Sequence, residues 1–306
     1  MIGHLLYRIL QTIPVLLAIT LIAFLVFYLD PTDPIAALVR EDSSEAYVEA
    51  LRARLGLDQP AHVQYLVFLG NLLQGDFGVS YRGGGPVIER VIPAMLATIH
   101  FSLVAFLFIV LIGLPAGLLA AIRPYSLADS LVMIVVLIGV SAPEFWIGIL
   151  LMYVFAYQLG IFPSSGSFTW SSVILPALTL AMYYGAVVAR IARTSLLEIM
   201  GEDYIRTARA KGVTERVVFL KHALRNAGMP IVTVLGFQGA HMVGGTILVE
   251  NVFAWPGIGR LLVTAIADRD APTVQACILV IAVLVVFITL VTDIVAAWLN
   301  PRIRTG

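Results

Sequence analysis

The stretch Glu202-Asp203-Tyr204-Ile205-Arg206-Thr207-Ala208-Arg209-Ala210-Lys211-Gly212 lies at the centre of a polar segment, residues 190–228, that separates two long apolar runs. This segment contains eight of the chain's 19 Lys and Arg residues: Arg190, Arg193, Arg206, Arg209, Lys211, Arg216, Lys221 and Arg225. Charged side chains are costly inside hydrocarbon. We therefore expect residues 190–228 to form a loop outside a bilayer and to have a function there.

The centre of this loop has the composition of a short helix followed by a turn. Glu202 and Asp203 favour a helix start, Ala208 and Ala210 are good helix formers, and Gly212 can adopt the positive φ that ends a helix. Helical spacing puts four side chains on one face: Tyr204, Thr207, Ala208 and Lys211. A basic loop that only touches anionic lipid would explain the charge, but not a small-residue helix that ends at a glycine.

A second helix is predicted after the turn. Thr214 is suited to cap this helix, and Glu215 lies in its first turn. Its apolar side would contain Val217, Val218, Leu220 and Leu224.

The composition of the whole chain is that of a membrane protein. Hydrophobic residues make up 60% and charged residues 12% of the 306 residues, whereas soluble domains carry about 25% charged residues. The single cysteine, Cys277, allows no disulfide within the chain. The sequence has no Gly-x-x-x-x-Gly-Lys-Ser/Thr segment, so we expect no ATP site of that kind.

Six segments are apolar and long enough to cross about 30 Å of hydrocarbon. They are Ile9–Leu29, Thr98–Ile122, Leu131–Leu159, Val173–Val188, Met229–Val249 and Val274–Leu299. The prediction is an all-α integral membrane protein with six transmembrane helices. Its parts are residues 1–29, an excursion at 30–97, and a core at 98–306 that includes the loop at 190–228.

The distribution of Lys and Arg predicts the orientation of these spans. With the N-terminus inside the cell, twelve Lys and Arg residues lie inside and seven outside, which the positive-inside rule favours. Both termini are therefore predicted to be cytoplasmic, and residues 30–97 to lie outside. A cleaved signal peptide is the alternative for the first span, but its apolar core is longer than the usual core of about 7–15 residues.

The outer excursion is predicted to contain two helices. Ser43 or Ser44 can cap the first and Gly56 can end it, and an amphipathic stretch from Val63 to Leu73 forms the second. The excursion is either a compact cap without a site of its own or a docking surface for an external partner.

The third predicted span contains a helix breaker and an acid. Pro143 follows Ser141 and Ala142 and can kink the helix, and Glu144 comes next. A charged carboxyl near the middle of the membrane costs about 2.5–3.5 kcal/mol or more. Glu144 therefore either lines a translocation path, where a cationic group can meet it, or is protonated and hydrogen-bonded to a neighbouring helix.

Small residues recur at helical spacing in the second and fifth spans, at Gly113 and Gly117 and at Gly236, Ala240 and Gly244. This spacing is typical of closely packed helices. His241 lies beside the second set. A lone histidine is more often a packing residue than a metal ligand, and no further ligands are grouped with it, so no metal site is predicted.

A turn follows the fifth span on the outer side. Trp255 suits the membrane interface, Pro256 and Gly257 favour a turn, and Ile258–Ile266 can form a short helix. An interfacial anchor is one interpretation of this segment.

Five motifs resemble those of one transporter family. They are Gly56-Leu57-Asp58-Gln59-Pro60, Gly75-Asp76-Phe77-Gly78, the stretch from Asp203 to Gly212 with His222-Ala223-Leu224-Arg225-Asn226-Ala227, the stretch Phe253-Ala254-Trp255-Pro256-Gly257-Ile258-Gly259-Arg260, and Asn300-Pro301-Arg302-Ile303-Arg304. Together they resemble the inner-membrane permease subunits of ATP-binding cassette importers, in the branch that handles dipeptides, oligopeptides, glutathione and nickel. The resemblance covers nearly the whole chain.

The resemblance implies a type I importer permease fold in a bacterial inner membrane. It also implies that the chain works together with several protein partners. The implied partners are a second homologous permease subunit, two ATP-binding subunits that hold ATP and Mg, an extracytoplasmic solute-binding protein and membrane lipid, but no nucleic acid. The chain itself is expected to be no enzyme and to bind no cofactor.

The resemblance also implies roles for particular residues. The short helix of the loop would seat in a groove of an ATP-binding subunit, and the expected coupling residues are Tyr204, Arg206, Thr207, Ala208, Lys211, Gly212 and Leu224. The segment after the fifth span would be a re-entrant element near the outer gate. The candidate path or gate residues are thus Ser141, Pro143, Glu144, His241, Trp255, Pro256 and Gly257.

The loop departs from the pattern of the wider importer superfamily, which is Glu-Ala-Ala, three residues, Gly, nine residues, Ile, any residue, Leu-Pro. Only Ala208, Gly212 and Leu224 match this pattern, and Arg206 occupies the place of the Glu. Coupling is therefore expected to depend on the shape of the helix around Ala208 and Gly212.

Two other classes of protein fit the apolar composition. An ion-gradient-driven secondary transporter would be expected to show inverted repeats, and no clear internal repeat is visible. A membrane scaffold without transport would not need Pro143 and Glu144 inside a span. Among importer substrates a small peptide is favoured, with glutathione and nickel as alternatives.

Overall fold

The computed structural model describes residues 2–29, 35, 44–54, 56–166 and 169–299. Its helices are α1 Ile2–Tyr28, α2 Glu45–Arg54, α3 Ala61–Leu73, α4 Ile88–Phe108, α5 Leu114–Ile122, α6 Leu127–Ser141, α7 Glu144–Leu151, α8 Ile174–Met200, α9 Asp203–Ala210, α10 Glu215–Val217, α11 Leu224–Val252, α12 Ile258–Ala267 and α13 Ala271–Leu299. Three π-helical stretches accompany them: Ile109–Gly113 joins α4 to α5, Met152–Gln158 extends α7, and Val218–Ala223 joins α10 to α11. The motif at 300–304 lies outside the described residues.

The helices confirm the predicted all-α membrane fold. Five helical segments of the described residues are long and apolar enough to cross a membrane, and α6 with α7 makes a sixth if that bent pair is one span. The third predicted span is therefore not one continuous helix, because α6 and α7 meet at 110°. Ala142 is extended, with ψ 137°, since proline lacks an N–H and forces its predecessor out of helical conformation. Pro143 thus separates two helices instead of kinking one.

Helix α8 continues well beyond the predicted fourth span. It reaches Met200, whereas the prediction ended at Val188. Ala192 and Leu196 in this extension are fully buried, so a sequence that reads as polar still packs as a helix. The connection between α8 and α10 is accordingly residues 201–214, and the rest of the polar segment belongs to the flanking helices.

The chain divides into two compact units, of which the first contains residues 1–8, 99–255 and 284–306. Helix α8 is its central helix, contacted by α5, α6, α7 and α11. A Cβ on Gly113 would lie 2.7 Å from Cα of Gly185, and a Cβ on Gly117 would collide with the backbone of Ala189. These distances confirm the close helix packing predicted at both glycines.

The small-residue pattern of the fifth span has a more local role. A Cβ on Gly236 would collide with the side chain of Thr292, whereas nothing lies within 4 Å of a Cβ on Gly244. Within this chain the pattern therefore serves close packing at Gly236 and not at Gly244.

A buried ion pair joins α6 to α8 in the same unit. Arg193 donates from Nε to Asp129 Oδ1 at 2.6 Å and from Nη2 to Asp129 Oδ2 at 2.7 Å. The Tyr125 amide also donates to Oδ2, at 2.8 Å. The side chains of Asp129 and Arg193 are only 4% and 19% exposed, so the pair is shielded from water and salt. Bidentate geometry of this kind is the strong form of an ion pair.

The second unit contains residues 9–98 and 256–283. Helix α3 packs on α1 here: the hydroxyls of Thr20 and Tyr65 are hydrogen-bonded at 2.9 Å, and the Phe24 ring lies 5.5 Å from that of Tyr65. The two predicted outer helices are present as α2 and α3, although Ser43 lies outside the described residues. Gly56 has φ +68°, as expected for the residue that ends α2.

A buried carboxylate, Asp270, organises the polar part of the second unit. It accepts hydrogen bonds from Ser80 Oγ at 2.5 Å, from the Tyr81 amide at 3.0 Å, from Arg90 Nη1 at 3.2 Å and from Thr273 Oγ1 at 2.6 Å. Burial and the Asp270 carboxylate both raise the pKa of the Tyr81 hydroxyl above its ordinary value. The network fixes the 80–90 segment to the start of α13.

Candidate functional site

Helix α9 lies in the connection between α8 and α10, where the sequence predicts a short helix and a turn. Glu202 is its N-cap residue, with ψ 149°, and Lys211 is its C-cap residue. Gly212 follows with φ +78°, and a Cβ there would meet nothing within 4 Å. The requirement for glycine at this position is therefore conformational and not steric.

One side chain anchors α9 to the protein. Ile205 is fully buried in a cluster with Ala192, Leu196, Val218 and Ala223, and Ala208 packs partly buried against the same cluster. The sequence interpretation missed Ile205, although it is the only large aliphatic residue between Glu202 and Gly212.

The outward face of α9 is polar and accessible. Tyr204, Arg206, Thr207 and Lys211 are exposed, whereas Ala208 is half-buried. Of the four residues predicted to share one face, three are exposed. The fourth, Ala208, lies at the border of the side that is anchored to the protein. The Tyr204 hydroxyl accepts a hydrogen bond from Asn226 Nδ2 at 3.1 Å, which ties this face to α11.

An ion pair spans the turn at Gly212. Arg209 donates to the two oxygens of Glu215 at 2.7 and 3.2 Å, and both side chains are substantially exposed. Thr214 occupies the predicted N-cap position of α10, but its side chain makes no capping hydrogen bond. An exposed pair contributes little to stability, so Gly212 and Ile205 are the main determinants of the loop's shape.

The predicted apolar side of the second helix is partly wrong. Val218 is fully buried and Leu224 is partly buried against the Ile205 cluster, but Val217 and Leu220 are 41% and 52% exposed. The backbone is π-helical from Val218 to Ala223, so the α-helical spacing used for the prediction does not hold there.

A second polar cluster lies between α7, α8 and α11. A Cβ on Gly245 would lie 2.7 Å from Glu144 Oε2 and would collide with the hydroxyl of Tyr184. Glu144 Oε2 is buried and accepts no hydrogen bond of ordinary geometry from the described residues. The Tyr184 hydroxyl lies 3.5 Å from the carbonyl oxygen of His241. Glu144 was predicted, whereas Tyr184 and Gly245 were not, because neither stands out in an apolar sequence.

The other candidate path residues are placed separately. Ser141 and Pro143 are exposed at the break between α6 and α7, and His241 is exposed on α11. The His241 ring lies 4.3 Å from that of Phe237. No group of three or more His, Cys, Asp or Glu side chains in the described part of the chain could hold a metal ion.

The segment after α11 does not behave as an interfacial anchor. Trp255 is fully buried and its ring lies 6.1 Å from that of Phe101 and 6.3 Å from that of His100. An anchor would face lipid head groups, so that interpretation is wrong. In the second unit, Pro256 is exposed, and Gly257 is buried and precedes α12.

Two family models match the chain. Residues 113–305 match the binding-protein-dependent transport system inner membrane component, and residues 1–84 match the N-terminal part of such membrane components.

Curated relatives are similar over the full length. The chain is 43% identical to the glutathione transport system permease protein GsiC of Salmonella typhimurium strain LT2 over 305 residues, with 99% of each chain covered. It is 40% identical over 304 residues to GsiC of Escherichia coli strain K12, again with 99% of each covered.

A chain of the MetNI methionine ABC transporter, solved in an inward-facing conformation, has a similar fold. The TM-score is 0.60 at 21% identity, and the match covers 70% of this chain and 97% of that one.

Proposed function

We propose that this chain forms half of a translocation path for glutathione or a related short peptide. The chain belongs to the family of binding-protein-dependent transport system inner membrane components, and it is a permease subunit of an ATP-binding cassette importer. The full-length similarity to glutathione permeases supports this substrate class. Nickel is less well supported, since no cluster of potential ligands occurs among the described residues.

The assembly that we envisage contains four membrane-associated subunits and one soluble partner. This chain pairs with a second, homologous permease, two ATP-binding subunits hold ATP and Mg, and a solute-binding protein delivers the substrate from outside. Membership of an importer permease family implies the ATP-binding subunits and the binding protein. The excess of Lys and Arg in residues 190–228 supports a cytoplasmic position for this loop and for both termini.

The observation that carries the coupling role is the division of α9 into an anchored and a free side. Ile205 is buried, whereas Tyr204 and Thr207 on the same eight-residue helix are exposed, as is Lys211 at its C-cap. A rigid helix with a free polar face is suited to seat in a groove of an ATP-binding subunit. Movement of that subunit would then reach α8 and α11 through the Ile205 cluster.

Ser141, Pro143, Glu144 and His241 are proposed as residues of the translocation path. Polar and helix-breaking residues inside membrane segments commonly mark substrate pathways. Trp255 is proposed as an outer-gate residue, since its fully buried indole is suited to a packed closure. Pro256 and Gly257 remain candidate gate residues on the family resemblance alone.

The proposal is tested by reconstituting the complete importer into liposomes with labelled glutathione, a dipeptide and Ni²⁺ as separate probes. We expect uptake of glutathione or the dipeptide that needs ATP and the binding protein and that survives ionophores. Uptake that continued without ATP and stopped with ionophores would contradict the proposal. Uptake of Ni²⁺ alone would overturn the substrate assignment and leave the permease role intact.

A further inference from the structure

The polar cluster around Gly245 has more hydrogen-bond acceptors than donors. Glu144 Oε2 and the carbonyl oxygen of His241 are acceptors, and the Tyr184 hydroxyl offers a single proton. The His241 carbonyl lies inside α11 and also accepts an intrahelical hydrogen bond, so Glu144 Oε2 is the acceptor without a hydrogen bond of ordinary geometry. The cluster therefore has unused capacity to accept hydrogen bonds.

The Glu144 carboxyl lies at the start of a helix. Glu144 is the first residue of α7, and the positive end of a helix dipole stabilises a negative charge there. The described residues contain no ion-pair partner for Glu144, although buried carboxylates such as Asp129 and Asp270 do have one. A buried charge without a partner is unfavourable, so an external cation would stabilise this arrangement.

We propose that Glu144, Tyr184 and the His241 carbonyl form a binding site for one primary ammonium group of the transported solute. An ammonium group carries three N–H donors and one positive charge, which matches the three oxygens and the unpaired carboxylate. Glu144 as a residue is half-buried, and its Oε2 atom is fully buried. This inference rests on the proposed function and specifies which part of the solute the permease contacts.

Gly245 is the residue that makes room for the site. A Cβ at this position would occupy the space between Glu144 Oε2 and the Tyr184 hydroxyl. The adjacent Gly244 has nothing within 4 Å of a Cβ. The chain thus supplies a matched pair of substitutions, since Gly245→Ala would fill the site and Gly244→Ala adds the same methyl group to the same helix outside it.

The first test uses infrared difference spectra of the purified importer in lipid, with ethylammonium chloride as the probe and N-ethylacetamide as the uncharged control. We expect ethylammonium, and not the amide, to shift a carboxylate band that is missing in Glu144→Gln. Gly245→Ala should abolish the shift and Gly244→Ala should keep it. A band of protonated carboxylic acid assigned to Glu144, or no response to ethylammonium, would overturn the proposal.

The second test compares ATP-driven uptake of glutathione and N-acetylglutathione by the reconstituted importer. Glu144→Gln should reduce glutathione uptake about tenfold, the scale of one lost charged hydrogen bond, and leave the acetylated solute unchanged. Equal loss of both would indicate a structural role and would contradict the site. Absence of ATP-driven uptake by the unmodified importer would instead refute the proposed function, so the two failures are distinguishable.

Discussion

Replacing Ile205 with alanine should release α9 from the rest of the protein. Ile205 is fully buried, and the substitution removes three carbon atoms worth about 0.8 kcal/mol each in transfer free energy. The cavity left behind adds to this loss, which gives about 3 kcal/mol in total. Because 1.4 kcal/mol corresponds to a factor of ten, the balance between docked and undocked α9 should shift by roughly 100-fold.

Hydrogen exchange of the amides from 203 to 212, measured on the purified permease in lipid, reports this shift directly. Exchange in α9 should accelerate by about two orders of magnitude, up to the limit set by the undocked state, while α8 keeps its protection. Leu220→Ala is the matched control, because Leu220 is 52% exposed. Unchanged exchange in Ile205→Ala, or equal acceleration in Leu220→Ala, would refute the anchoring role.

Three further changes test other parts of the structure. Asp129→Asn should lower the free energy of unfolding by about 3–5 kcal/mol, since it leaves a buried guanidinium without its charged partner, and thermal denaturation measures this. Gly117→Val should prevent close helix packing and reduce the yield of folded permease in detergent. Tyr81 has a raised pKa in the folded protein, so its contribution to stability is present below about pH 10 and is lost as the pH rises through its folded pKa. Asp270→Asn should lower that pKa, as ultraviolet titration against Tyr81→Phe will measure.

The controls for these changes come from the chain itself. Arg206→Ala removes an ion pair with Asp203 whose side chains are 72% and 93% exposed, so it should alter stability by less than about 1 kcal/mol. Gly70→Val places the same side chain where nothing lies within 4 Å. A loss of stability in Arg206→Ala as large as in Asp129→Asn would show that burial of the ion pair is not the cause. A loss of folded yield in Gly70→Val as large as in Gly117→Val would show that close helix packing is not the cause.

Sequence patterns predicted the helices, the turn at Gly212 and the close packing at Gly113 and Gly117 because each depends on local or short-range properties. Hydropathy identifies apolar spans, and glycine tolerates a positive φ. The end of α8 was missed for the opposite reason. Arg193 reads as a loop residue until its partner Asp129, sixty-four positions away, is known.

The polar cluster shows the same limit within the candidate site. Glu144 could be predicted because an acid in an apolar span is unusual. Tyr184 and Gly245 could not, because their place in the cluster depends on the packing of α8 against α11. The register change in the π-helical stretch from Val218 to Ala223 was equally invisible, since periodicity arguments assume a regular helix.

The number of solute molecules transported per ATP hydrolysed, compared between Gly212→Val and Gly228→Val importers, tests the coupling role of the loop most directly. Both glycines have open space around a Cβ, but only Gly212 has a positive φ, +78°, where a β-branched residue costs about 1–3 kcal/mol. We predict that Gly212→Val assembles and hydrolyses ATP but transports much less solute per ATP, while Gly228→Val keeps the normal ratio. A normal ratio in Gly212→Val would contradict the account.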